Sequence, residues 1–130
     1  MECYDIIISI ASNDQQEQNL SEARRCLGQI LSDLHYTDEL WTEPYHAKNS
    51  SRLYLNQLAY ATTTFNAQEL NAELKKIEKQ MGRTPEQKQQ GIVTIDLDLM
   101  QHNGQRYHLT DWERPYIQQL LVCQAKTEDL

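Results

Sequence analysis

The 130-residue sequence has few of the residues that interrupt or cross-link a chain, with three prolines, four glycines and three cysteines. This composition is typical of one compact, soluble domain, so we expect a single unit over residues 1–130. The cysteines, at positions 3, 26 and 123, are odd in number and form no C-x-x-C pair. That spacing argues against a disulfide framework and against a zinc knuckle, and it predicts free thiols.

Basic side chains are also scarce, since 12 lysines and arginines stand against 19 acidic residues and the net charge is −7. Such a charge gives nucleic acid and anionic lipid little attraction, and we expect neither as a partner. No apolar run approaches the roughly 20 residues that span a bilayer. The opening residues Met1 to Asp5 lack the basic end of a signal peptide. We therefore expect a cytoplasmic protein.

Hydrophobic periodicity predicts an alternation of strands and helices. Alternating or β-branched runs indicate strands over residues 4–12, 38–45, 53–65 and 92–100. Apolar residues at three- and four-residue steps indicate helices over residues 20–34, 66–81 and about 113–125. The order of the first six elements predicts an α+β sandwich of the split βαβ type, an antiparallel sheet with helices packed on one face.

Local signals support the second helix and the segments around it. Asn66 with Glu69 three residues later forms a capping box, and Gly82 ends the helix. The polar stretch Arg83–Gly91 contains Pro85 and is interpreted as a mobile loop. A hairpin-like turn is expected around residues 103–104.

The most informative pair of residues is Asp96 and Asp98 in the segment TIDLDL. Strand alternation places both carboxylates on one face, with their Cα atoms about 6.5–7 Å apart. Two neighbouring anions must be exposed or neutralised, and Mg²⁺ ions bridging them to a polyphosphate would neutralise them. The alternative is a solvated acidic face on an edge strand.

Other side chains suggest a phosphate and a flat ring. Arg83 and Arg114 can grip phosphate oxygens or merely solvate the surface, and no Walker-type motif is present. Tyr54 and Asn56 lie two apart on one strand, which suits a planar heterocycle but also ordinary cross-strand packing. His108 is near the aspartates in sequence, although single histidines are more often structural.

Three segments together resemble the 6-hydroxymethyl-7,8-dihydropterin pyrophosphokinase family of folate biosynthesis. They are residues 94–100 (TIDLDLM), residues 54–56 (YLN) and residues 113–116 (ERPY), in the order and at the spacing of that family. The resemblance covers nearly the whole chain. It implies a ferredoxin-like fold and an ATP-dependent diphosphotransferase that uses two Mg²⁺ ions, transfers pyrophosphate to the pterin hydroxymethyl oxygen and releases AMP.

The resemblance also implies a role for particular residues. Asp96 and Asp98 would bind the two Mg²⁺ ions and take part in catalysis. Asn56 would hydrogen-bond the pterin, which would stack between Tyr54 and Tyr116. The remaining assignments are Glu43 and Pro44 to the pterin edge, Arg83 to the catalytic loop, and His108 and Arg114 to the nucleotide.

Among the departures of the sequence from the family, two concern the space and the positive charge available to the ligands. Ala11 stands where glycine is usual, and the stretch before the aspartates lacks the usual further arginines, tryptophan and proline. Losing charge-assisted contacts to a polyphosphate costs a few kcal/mol each and slows transfer. A second hypothesis is therefore a member that binds pterin or nucleotide, or a protein partner, with weak or no catalysis.

Overall fold

The computed structural model of the chain describes residues 2–44 and 52–128, with side chains described as far as residue 122. Tyr45, the end of the predicted second strand, and residues 46–51 of the loop after it lie outside the described residues. No described helix combines the length and apolar character needed to cross a membrane.

The described chain contains six strands and five helices. The strands are β1 (Tyr4–Ser12), β2 (Ser32–Tyr36), β3 (Leu40–Thr42), β4 (Tyr54–Thr63), β5 (Asp96–His102) and β6 (Gln105–Arg106). The helices are α1 (Gln16–Gly28), α2 (Ala67–Gln80), α3 (Pro85–Gln89), α4 (Leu109–Trp112) and α5 (Pro115–Glu128).

The strands form one antiparallel sheet in the order β2-β4-β1-β5-β6, and β3 also pairs with β4. Without β3 and β6, this is the strand order of a ferredoxin-like βαββαβ fold, with β1 and β4 in the centre. The predicted α+β class and antiparallel sheet are confirmed. The predicted hairpin is confirmed too, because β5 and β6 are joined at Asn103 and Gly104.

Both faces of the sheet are packed, because alternate residues of the central strands point to opposite sides. Helices α1 and α2 cover one face, as predicted, with Ile8 of β1 in the middle of the larger core. The expectation that helices pack on one face holds for α1 and α2 but not for the last helix, α5, which covers part of the other face through Ile117 and Leu120, packed with Ile7. The uncovered part of that second face is where a cleft can form.

Several predicted boundaries are wrong: the first helix begins at Gln16 instead of Leu20, and the strand predicted over residues 92–100 begins at Asp96. Within the described residues, the strand predicted over residues 38–45 is limited to Leu40–Thr42.

Two other differences have a clear local reason. The first helix ends at Gly28, and Leu34 belongs to β2, whose side chains face the same core. When the strand after a helix packs against the same core, its apolar residues extend the pattern of the helix. Hydrophobic periodicity therefore does not show where the first helix ends. The predicted loop after Gly82 contains α3, since Thr84 caps the helix and Pro85 occupies its first turn.

The second helix is confirmed in detail. The Asn66 side chain accepts a hydrogen bond from the Glu69 N–H, and the Glu69 side chain accepts one from the Asn66 N–H. Gly82 follows the helix with φ +99°, a conformation that favours glycine. The helix therefore begins and ends where the sequence signals place it. These ends determine which residues of α2 face β5.

Candidate active site

The strand register brings small and polar side chains together on the face that α5 covers only in part. Ala11 of β1 is paired with Asn56 of β4 on one side and with Asp96 of β5 on the other. Ser9, two residues earlier, is paired with Asp98. Because paired residues point to the same face of a sheet, these five side chains share one floor.

A cleft of about 320 Å³ lies above this floor. Its walls are formed by the end of β3 and by the segment that runs from α4 into α5. The lining residues include Thr42, Glu43, Pro44, Tyr54, Asp111, Arg114, Tyr116, Ile117 and Leu120. The cleft thus combines carboxylates, one guanidinium and two phenol rings within a single volume.

Almost all the site residues predicted from the sequence meet in this cleft. It is lined by Glu43, Pro44, Tyr54, Asn56, Asp96, Asp98, Arg114 and Tyr116. Arg83 and His108 are not among the lining residues, but each reaches one of the aspartates. Residues far apart in sequence are therefore gathered around the two carboxylates.

The two aspartates have unequal surroundings. Burial raises the pKa of the Asp98 carboxyl from 3.8 to about 6, and repulsion from Asp96 adds to this rise. The charges of Lys75 and His108 act in the opposite direction. The Asp98 charge is therefore costly in this cleft, and a cation bound there would relieve the cost.

Arg83 is held by carboxylates. Its Nη1 lies 3.0 Å from Asp96 Oδ1 and 3.1 Å from Glu78 Oε1, and it also donates to the carbonyl of Ile95. The segment that follows is anchored as well, because the Asn13 side chain bonds the backbone of Gly91 and Val93. These contacts hold the Arg83 guanidinium beside Asp96. The segment after it contains helix α3, where a mobile loop is predicted from the sequence.

Tyr54 and Asn56 lie on the β4 side of the cleft. Asn56 is buried, and its Nδ2 donates to Thr42 Oγ1 at 2.8 Å and to the Leu40 carbonyl at 3.0 Å. These bonds fix β3 against β4. Burial raises the pKa of Tyr54, and the charge of Asp96 raises it further, so its phenol stays neutral at physiological pH.

Two further cationic or titratable residues border the site. Arg114 donates from Nε to Asp111 Oδ1 at 2.9 Å, and both residues line the cleft. His108 places Nε2 at 3.9 Å from Asp98 Oδ1. It lines a second cavity on the other side of Asp98, together with Lys75 and Tyr107.

Two further residues beside the aspartates, Lys75 and Glu78 on α2, are not among those predicted from the sequence. Glu78 is 5% exposed, and its Oε2 accepts a hydrogen bond from the Leu97 N–H at 2.8 Å. A signal was available, because Leu70, Leu74 and Glu78 follow one another at four-residue steps. A carboxylate on the apolar stripe of a helix needs partners inside the fold.

The donor chemistry of the site fits magnesium. Asp96 and Asp98 are hard oxygen donors on one strand face, and no group of three or more metal-ligating side chains occurs in the described ranges. Mg²⁺ is commonly bound by one or two carboxylates, with water and substrate phosphates completing its six ligands. Two aspartates therefore suffice for an ion that arrives with a polyphosphate.

Comparison with known proteins agrees with this geometry. Residues 7–125 match the sequence model of the 7,8-dihydro-6-hydroxymethylpterin-pyrophosphokinase family. The chain belongs to this family. The match includes most of β1, all of β4 and β5 and the start of α5, which contribute most of the cleft lining of this pyrophosphokinase-family protein.

A curated relative points in the same direction. The folate synthesis bifunctional protein of Arabidopsis thaliana is 30% identical over 136 aligned residues, which include 97% of this chain. The chain spans 28% of the length of that relative. The resemblance to the pyrophosphokinase family stated from the sequence is thus confirmed.

The raised pKa of Asp98 makes a prediction about stability. In buffer without divalent cations at pH 7.5, Asp98→Asn should raise the free energy of unfolding by about 1–2 kcal/mol, because it removes a charge that the fold disfavours. The folded wild type binds this proton more tightly than the unfolded chain. The gain should therefore shrink as the pH falls from about 6 towards 4. Denaturant unfolding across this pH range measures it.

Asp5→Asn, at an exposed position of β1, is the matched control and should change stability little at any pH. A loss of stability in Asp98→Asn at pH 7.5, or a gain that does not vary with pH, would contradict the assignment.

Proposed function

We propose that this chain transfers the pyrophosphoryl group of ATP to the hydroxymethyl oxygen of 6-hydroxymethyl-7,8-dihydropterin and releases AMP. The observation that carries the proposal is the meeting of Asp96 and Asp98 with Tyr54, Asn56 and Tyr116 in one cleft. Membership of the pyrophosphokinase family supplies the reaction class. The proposal places the reaction in folate biosynthesis.

The pterin would occupy the β4 side of the cleft. Its flat ring would stack between Tyr54 and Tyr116, and the buried Asn56 would meet its hydrogen-bonding edge. Because the Asn56 Nδ2 already donates to Thr42 and Leu40, its carboxamide oxygen is the group available to accept from a ring N–H. Glu43 and Pro44, at the end of β3, would border the ring.

The nucleotide would occupy the β5 side. Asp96 and Asp98 would hold two Mg²⁺ ions, which neutralise the polyphosphate when bound. Arg114 would contact the nucleotide from the cleft wall, and His108 would contact it from beyond Asp98. Arg83 lies beside Asp96 and would face the transferred group. These groups orient and neutralise the substrate.

In the transfer step, the pterin hydroxymethyl oxygen forms a bond to the β-phosphorus of ATP. The bond from that phosphorus to the oxygen it shares with the α-phosphate breaks, and its electron pair leaves with AMP. The hydroxymethyl proton is lost to solvent. Little covalent work falls to the protein in such a transfer, so positioning and charge neutralisation dominate.

Two observations favour the second candidate, a binding module with weak catalysis. Arg83 is the single arginine between residues 83 and 93, and its guanidinium is paired with Asp96 and Glu78. Ala11 also places a methyl group on the cleft floor between Asn56 and Asp96. Pterin binding without AMP formation at high protein concentration would support this candidate.

Mutation of one aspartate tests the proposed reaction. With ATP, Mg²⁺ and the hydroxymethyl-dihydropterin, the wild type should form AMP, and Asp96→Asn should lower the rate on the order of 100-fold or more, since it removes a group that organises transition-state charge. Asp5→Asn should keep the wild-type rate. Equal AMP formation by Asp96→Asn and the wild type would contradict the assignment.

Substitution of Tyr116, at the start of α5, tests the proposed stacking of the pterin. Tyr116→Phe keeps the flat face and should keep pterin affinity, whereas Tyr116→Ala should lower it about tenfold through lost stacking and burial. Fluorescence or calorimetric titration of the pterin measures both variants, with thermal unfolding as the check on folding. If Tyr116→Ala bound the pterin as tightly as the wild type, Tyr116 would not be a stacking residue of the site.

A further inference from the structure

The outer edge of β5 between the two aspartates is closed by side chains of α2. The Leu97 N–H donates to Glu78 Oε2 at 2.8 Å, and Lys75 Nζ donates to the Leu97 carbonyl at 3.0 Å. Lys75 and Glu78 also bond each other at 3.1 Å. This three-membered cluster, formed by Lys75, Glu78 and Leu97, serves the backbone of β5 as a neighbouring strand would.

The same lysine reaches the candidate metal ligand. Lys75 Nζ lies 3.6 Å from Asp98 Oδ1, and Lys75 lines the cavity beyond Asp98. On the other side of the pair, Arg83 contacts Asp96 at 3.0 Å and is tied to Glu78 as well. A positively charged side chain thus lies beside each aspartate, Arg83 beside Asp96 and Lys75 beside Asp98. The buried carboxylate of Glu78 contacts both of these cations.

We propose that Lys75 is a built-in counter-ion of Asp98 that weakens the binding of a free divalent cation and favours the binding of a cation together with nucleotide. This rests on the proposed function, in which Asp98 is a metal ligand. The role is that of a positioning and selectivity residue. It is distinct from the contribution of Lys75 to the edge of β5.

Geometry supports competition between the two cations. A Mg²⁺ ion lies about 2.1 Å from a ligand oxygen, so an ion on Asp98 Oδ1 would lie within about 6 Å of an ammonium that is 3.6 Å from the same oxygen. At that separation, repulsion in a partly buried site is appreciable. Lys75 cannot withdraw without giving up its contacts with the Leu97 carbonyl and Glu78.

Nucleotide reverses the balance of charge. A triphosphate adds several negative charges beside Asp98, and a fixed ammonium that repels a lone metal ion then attracts the metal–nucleotide complex. Lys75 would therefore reduce the occupancy of the aspartates by metal alone and increase it when nucleotide is present.

Binding of Mn²⁺ without nucleotide tests the first half of the inference. In Lys75→Gln, which removes the charge and keeps a polar donor on the side chain, Mn²⁺ affinity should rise about fivefold by electron paramagnetic resonance or calorimetry. Lys75→Arg keeps the charge and should behave as the wild type. Lys76→Gln is the matched control, since Lys76 is an exposed neighbour that pairs with Glu73, and it should change nothing.

Binding of a non-hydrolysable ATP analogue at saturating Mg²⁺ tests the second half. Here Lys75→Gln should bind several-fold more weakly than the wild type, and Lys76→Gln should not. A residue that only closes the edge of β5 would not move the two affinities in opposite directions. Thermal unfolding of each variant shows that the fold is retained.

The outcomes separate this inference from the function on which it rests. If Mn²⁺ binding depends on Asp98 but is unchanged or weaker in Lys75→Gln, the counter-ion role is overturned and the metal site stands. If Asp98→Asn binds Mn²⁺ as tightly as the wild type, the proposed metal site is overturned, and the inference with it. Opposite shifts in the two titrations of Lys75→Gln support the inference.

Discussion

The repulsion between two carboxylates on one strand face is the constraint around which this site is organised. Asp96 and Asp98 lie side by side on β5, and the partial burial of Asp98 makes its charge expensive. The fold meets that cost with Arg83 and Lys75, both tied to Glu78. Without these cations or a metal ion in their place, one of the two aspartates would be driven towards its protonated form.

The antiparallel register turns this local arrangement into a binding cleft. Ser9 and Ala11 of strand β1 have small side chains. They therefore leave space above the sheet between Asn56 of β4 and Asp96 of β5. Neighbouring strands are separated by about 4.8 Å, which puts β4 and β5 roughly 10 Å apart. A ligand with a flat head on β4 and a charged partner on β5 matches that span. The last helix, α5, lies on the same face of the sheet and forms one wall of the cleft through Tyr116, Ile117 and Leu120.

Much of this could be predicted from the sequence, because its signals are local. The β-branched run of β1, the capping box of α2 and the TIDLDL segment each fix structure within a few residues. They sufficed for the fold class, and the resemblance to the pyrophosphokinase family added most of the site residues that the structure brings together. Leu34 shows the limit of periodicity, since a strand that faces the same core as the helix before it continues the same apolar stripe.

The cation network around Asp96 and Asp98 could not be predicted in the same way, because it depends on how α2 lies against β5. The sequence places Lys75 and Glu78 on one helix, but it does not show that both reach the backbone of Leu97. The resemblance implies a catalytic loop at Arg83, but the pairing of Arg83 with Glu78 depends on where the helix ends, at Gly82. Tertiary contacts of this kind are absent from any local pattern.

Asp96 and Asp98 are proposed to bind divalent ions over the cleft, and paramagnetic broadening by Mn²⁺ tests this most directly. In nuclear magnetic resonance spectra recorded with a non-hydrolysable ATP analogue, Mn²⁺ should broaden amide signals most strongly around Leu97 and, across the sheet, at Ser9 and Ala11. The same addition to Asp96→Asn should leave those signals sharp. Broadening centred elsewhere, or equal in the wild type and the variant, would contradict the account.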